Sequence, residues 1–121
     1  MSTKLALTIG AVVALIAGIG FTLAPAQLLS GFGLNAPNEA LIVTRDIGVT
    51  LVGLGILNWL ARDATGPAVR AIIIGNLFIQ AAELVVNGWE IAAGSIPSQA
   101  APGIVLHLAL GIVFLLALRR A

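Results

Sequence analysis

The sequence predicts an all-α fold: an integral membrane four-helix bundle, one domain over residues 1–121, with both termini cytoplasmic. Three observations carry this prediction. Four apolar segments approach membrane-spanning length, the positive charges gather on one side of them, and the two tryptophans fall near opposite ends. Composition points the same way. The chain is 60% hydrophobic and 9% charged, with a mean hydropathy of +1.11, whereas roughly a quarter of the residues of a soluble domain are charged. So few polar groups do not cover a water-facing surface. A net charge of +1 offers no electrostatic footprint for nucleic acid. With no cysteine, the chain has no disulfides, thiol redox chemistry or thiolate metal sites.

The first predicted helix covers about residues 5–24, twenty residues without a charge. At about 1.5 Å per residue it spans about 30 Å, the thickness of the hydrocarbon core. Ala24-Pro25-Ala26 has the small-residue character of a signal-peptide cleavage site. The apolar run is longer than the roughly 7–15 residues of such a peptide's core, which favours a retained span. Gly10, Ala14 and Gly18 recur at four-residue steps and form a groove for a neighbouring helix. Pro25 ends the helix. Residues 26–38, mixing Leu and Phe with Gly, Ser, Asn and Pro, read as an amphipathic turn at the interface.

The second helix is predicted over residues 39–61, with Asn38 as its N-cap and Glu39 in its first turn. Gly48, Gly53 and Gly55 give it close-packing surfaces. Residues 62–67 are a turn by composition. The third helix covers residues 68–94. Residues 95–102, with two prolines, form the next loop. The fourth covers residues 103–118, short for a span unless it starts in the loop near Ala100 or Arg119 and Arg120 snorkel. Gly111 adds a packing face. With four spans, Lys4, Arg62, Arg70, Arg119 and Arg120 share one side, and Arg45 alone falls on the other. The positive-inside rule then places both termini in the cytoplasm, with Trp59 at the inner interface and Trp89 at the outer one.

The third helix carries the main chemical signal. Asn76, Gln80, Glu83, Asn87 and Glu90 follow at steps of four, three, four and three, one stripe along a helix. In lipid such a stripe faces protein or a cavity. Arg45, Asp46, Glu83, Asn87, Glu90 and His107 fall at overlapping depths in the outer part of the bilayer, and convergence into one polar cluster is the expectation. Consecutive residues diverge by about 100° on a helix, so Asp46 does not face Arg45. Glu83 or Glu90 is therefore the expected partner of Arg45, and His107 that of Asp46. Asn76 and Gln80 lie deeper and read as interhelical hydrogen-bond formers. His107 stands at helical steps from Gly103 and Gly111 and reads as a hydrogen-bonded packing residue. One His and no Cys argue against a metal site, and no motif calls for a cofactor.

The runs FTLAPAQLLSGFGL and LIVTRDIGVTLVGLGIL, the Pro25 turn with Gly31-Phe32-Gly33, Arg45 followed by Gly48, and His107 in the last helix give a chain that resembles small four-helix bacterial membrane proteins, broadly DoxX-like in size and layout. The resemblance covers most of the chain. It implies a bundle in the bacterial inner membrane with an accessory role, and it transfers no catalytic residue.

Three functions compete. The first is a non-enzymatic accessory or structural subunit of a membrane complex, in contact with the lipid bilayer and with copies of itself or a larger assembly. The second is a transporter or ligand-binding bundle that uses Glu83 with Arg45 and Asp46, its ligand a small apolar molecule, a lipid or a proton. The third is an intramembrane enzyme acting on a lipid or quinone through His107 and Asp46; no sequence feature specifies its reaction.

Overall fold

A computed structural model describes residues 1–121. The chain is all-helical: α1 (Thr3–Leu23), α2 (Pro25–Gly31), α3 (Asn38–Ala61), α4 (Pro67–Ala92) and α5 (Ala101–Leu118), with a 3₁₀ turn at Ser98–Ala100 leading into α5. Four helical runs, α1, α3, α4 and Ser98–Leu118, are long and apolar enough to cross a membrane. The lead-in turn gives the last run 21 residues.

Local chemistry sets the boundaries. The Ser2 hydroxyl accepts from the Leu5 amide at 3.2 Å and caps α1. Pro25 stands at the start of α2, where its missing N–H is an orphan donor anyway, so it begins a new helix instead of prolonging α1. The expected interfacial turn is thus a seven-residue helix closed by a Schellman motif: Leu34 N–H donates to Leu29 O and Gly33 N–H to Ser30 O, both at 2.9 Å. Gly33 supplies the required positive φ of 77°. Phe32 returns towards Phe21, with ring centroids 6.5 Å apart.

The expected N-cap at Asn38 is corrected. Pro37 takes that position and Asn38 is already helical, with no side-chain cap bond. Gly66, at φ 81° and ψ −162°, occupies a region that only glycine enters readily, and Pro67 starts α4 directly after it. The predicted end of this helix near residue 94 moves back to Ala92, where Ser95 N–H reaches the Glu90 carbonyl at 2.8 Å.

Packing joins α1 to α3 and α4 to α5, while α3 and α4, neighbours in sequence, touch little. In α1, Gly10, Ala14 and Gly18 are all buried. A Cβ on Gly18 would lie 2.7 Å from the Gly48 carbonyl oxygen and 2.7 Å from the Val52 nitrogen. Gly55 receives Leu15 in the same way, and Gly10 lies against Phe114 and Asn58. Gly111 faces Gln80 at ordinary van der Waals distance. Where lipid removes the hydrophobic drive between helices, such close backbone approach supplies the packing energy.

The two helix pairs share an apolar core at one end. Ala6, Leu7, Val69, Ile73, Leu110, Phe114 and Ala117 form the shared core there. That end also carries five of the six basic residues, all but Arg45. Lys4 Nζ lies 2.7 Å from Asp63, and Arg62 stacks 3.9 Å from the centre of the Trp59 ring. Arg70 donates to the carbonyl oxygens of Leu118 and Ala121, at 3.4 and 3.2 Å. At the opposite end, Gln99 Nε2 in the 3₁₀ turn donates to Gly31 O at the end of α2, at 3.1 Å, and ties the two together. Between the ends, large apolar side chains face outward around the molecule, among them Ile16, Leu60, Phe78, Val85 and Val105. So many exposed large apolar side chains are foreign to soluble monomers.

Candidate functional site

The stripe on α4 divides into a closed half and an open half. In the closed half, Asn76 forms a reciprocal amide pair with Asn58 of α3: Asn58 Nδ2 donates to Asn76 Oδ1 at 2.9 Å, and Asn76 Nδ2 to Asn58 Oδ1 at 2.8 Å. Asn76 Nδ2 also reaches the Ile72 carbonyl at 2.9 Å. Asn58 is 0% and Asn76 3% exposed, so the Asn58 side chain depends on Asn76 for its hydrogen bonds and the Asn76 Oδ1 on Asn58. One turn on, the buried Gln80 meets His107 of α5, Oε1 to Nδ1, at 2.7 Å. A carboxamide oxygen only accepts, so Nδ1 carries the proton in this pairing and Nε2 is left free. No buried side-chain nitrogen or oxygen is left without a partner.

The open half begins at Glu83. Its side chain is exposed, and Asn87, one turn further, donates to its Oε2 and to its carbonyl oxygen, each at 2.9 Å. Glu90 is half-buried near the helix end. Beyond Gln80, no residue of α4 is buried, and none of α5 is buried before Leu110. The outer stretch of the stripe is thus left uncovered.

Arg45 and Asp46 do not join it. Both are exposed, and the ion pairs of the molecule are Lys4–Asp63 and Arg62–Asp63. The expected pairing of Arg45 with Glu83 or Glu90 is therefore not made, nor is that of Asp46 with His107, whose partner is Gln80. Helix geometry explains why. α3 presents Asn58 to α4. At about 100° per residue, Arg45 stands roughly 140° and Asp46 roughly 120° around the helix from Asn58. Their depths match that of Glu83, but their directions do not. Of the six residues expected to converge, Glu83 and Asn87 bond to each other, His107 is taken by Gln80 one turn away, Glu90 lies above them, and Arg45 and Asp46 belong to a separate face.

Sequence reasoning missed Asn58. It is the one amide in residues 51–61, a stretch otherwise apolar apart from the indole nitrogen of Trp59. A buried amide in lipid needs a partner, and Asn76 across the Gly66 turn was the available one. No group of three or more His, Asp or Glu side chains comes together. Comparison with protein-family models, curated proteins and solved structures finds no match.

Proposed function

We propose that the chain is a multi-pass protein of the bacterial inner membrane, both termini cytoplasmic, serving as a non-enzymatic accessory or structural subunit of a membrane assembly. One observation supports this most. Arg45, Asp46 and Glu83 are exposed, without an ion partner in their own chain, at roughly 10–14 Å from the outer helix ends by helical rise. An unpaired charge in the hydrocarbon core costs at least about 2.5–3.5 kcal/mol on insertion scales, and a neighbouring protein removes that cost. Arg45 has a partial escape, because side chains tilt towards the helix N-terminus, which for α3 is the outer end. Glu83 has none, because α4 runs the other way and its side chain tilts inwards. Five of the six basic residues lie at the Lys4 end, which supports the cytoplasmic assignment of that end.

Extraction from native membranes in a mild detergent is expected to give a particle well above the 12.3 kDa of one chain. A clean monomer without partner contradicts the proposal. Reporter fusions at both ends are expected to report the cytoplasm.

Glu83 sustains the second reading, a ligand-binding or proton-coupled bundle. It combines one amide donor, Asn87, with an uncovered position one turn from the Gln80–His107 pair. Arg45 and Asp46 are no part of that site. Glu83→Gln is expected to abolish ligand binding or proton-coupled flux if this reading holds, and unchanged values remove it.

A further inference from the structure

We infer that α3 is a self-association face, and that its occupant is a second copy of this chain in the same orientation, joined by reciprocal Arg45–Asp46 ion pairs. The inference deepens the proposed subunit role and rests on it, since a single membrane orientation is what brings equal depths together.

The face consists of Arg45, Asp46, Val49, Thr50, Gly53 and Leu57, all exposed. Arg45, Asp46, Val49 and Gly53 stand roughly 120–180° around α3 from Asn58, and Thr50 and Leu57 flank them at roughly 80–100° on the Asp46 side. Its glycine differs from its neighbours on the helix. Cβ atoms added at Gly48 and Gly55 would collide with α1, whereas one added at Gly53 would meet nothing within 4 Å. The chain's own fold therefore gives no packing reason for glycine at position 53, while a close helix crossing does.

The charges identify the occupant. Arg45 cannot shed its proton and Asp46 is its nearest counter-charge in sequence, but the two diverge by about 100° and no bond forms within the chain. Neighbouring opposite charges at one depth are self-complementary across a two-fold axis normal to the membrane. Arg45 of each copy then opposes Asp46 of the other, as an isologous interface requires. An antiparallel copy would place these groups at opposite depths. A different acidic partner would satisfy Arg45 and leave Asp46 alone, and a basic one the reverse.

The absence of cysteine makes the test direct. Single substitutions Val49→Cys and Ile47→Cys place a thiol at nearly the same depth on exposed positions, roughly 160° apart around α3. On oxidation in native membranes, Val49→Cys is expected to yield a product of twice the chain mass and Ile47→Cys several-fold less. Arg45→Asp in the Val49→Cys background is expected to lower the yield several-fold, and adding Asp46→Arg to restore it, because the exchanged pair is again self-complementary. Equal cross-linking from both cysteines, no cross-linking from Val49→Cys, or failure of the exchange to restore it at normal membrane levels overturns the inference. A Val49→Cys product of another mass, or a large native particle without a Val49→Cys dimer, overturns it while leaving the subunit role intact. A monomer by both measurements removes both.

Discussion

The two halves of the molecule, at either side of the level of Gln80, use similar polar residues to opposite ends. Below that level the α4 stripe is closed: Asn76 is held by Asn58, Gln80 by His107, and a shared apolar core lies beneath them. Above it the same stripe continues at the same spacing, yet Glu83 and Asn87 bond only to each other, and the burial left is mainly along the α1–α3 seam at Ala14, Gly18 and Gly48. The difference teaches that helical periodicity fixes the direction of a polar residue but not whether a neighbour stands there. The half towards Lys4 accounts for its own polar groups. The half towards Gln99 leaves Arg45, Asp46 and Glu83 without an ion partner in the chain.

The sharpest way to break this contrast is at the glycines of α3 and its partner. Gly18→Val forces a branched side chain into backbone already 2.7 Å from its first carbon, and backbone cannot rotate away as a side chain can. Separation of α1 from α3 is expected, costing about 3 kcal/mol. Gly53→Ala, with nothing within 4 Å, is expected to gain about 0.5–1 kcal/mol from helix propensity. Reversible unfolding in a detergent that keeps the chain monomeric measures both. Similar losses at the two sites would mean that the α1–α3 seam is not where the close packing lies.

The next largest effect belongs to the amide pair. Asn58→Leu strands the buried Asn76 amide, and Asn76→Leu strands Asn58. Each single change is expected to destabilise by about 1–3 kcal/mol, and the double replacement by clearly less than the sum, because no orphaned polar group then remains. Additive losses in the double-mutant cycle would show that the pair does not couple α3 to α4.

These contrasts also mark what the sequence makes legible. The four apolar runs, the one-sided basic residues and the small-residue steps of α1 are visible as patterns because each depends on local periodicity or on composition. Asn76 and Gln80 are legible for the same reason, as deep members of a stripe. The Asn58 pairing is not, because one amide in an apolar run has no period of its own. The supposed convergence of Arg45 and Asp46 on Glu83 arises from depth alone. Rise along a helix reads directly from residue count, whereas the azimuth of α3 depends on which side docks, and that is decided by Gly48 and Gly55 packing on α1. The short helix α2 hides in a segment of broken composition, since one proline and one Schellman glycine suffice to create it.

The smallest expected effect is at the closed end, where Lys4 in the first turn of α1 meets Asp63 in the turn after α3. The hydrogen bond from Lys4 holds the Asp63 carboxyl below its usual value of 3.8, against an opposing desolvation and with the charges of Lys4 and Arg62 adding to it. A carboxyl whose pKa is depressed by folding adds stability above its unfolded pKa and loses it as pH falls through the folded one. The contact should therefore persist through neutral and mildly acidic pH and release only below about the ordinary aspartate range. Both partners are solvent-exposed, so salt screens the pair and its global contribution is small. Amide exchange of the first turn of α1 is the suitable readout, because it is local. It is expected to quicken on acidification below that range in the wild type, after correction for intrinsic exchange rates, and to be fast and insensitive to this titration in Asp63→Asn. If Asp63→Asn leaves the first turn as protected as in the wild type, then the basic end is closed by its apolar core alone and the ion pair is a passenger on it.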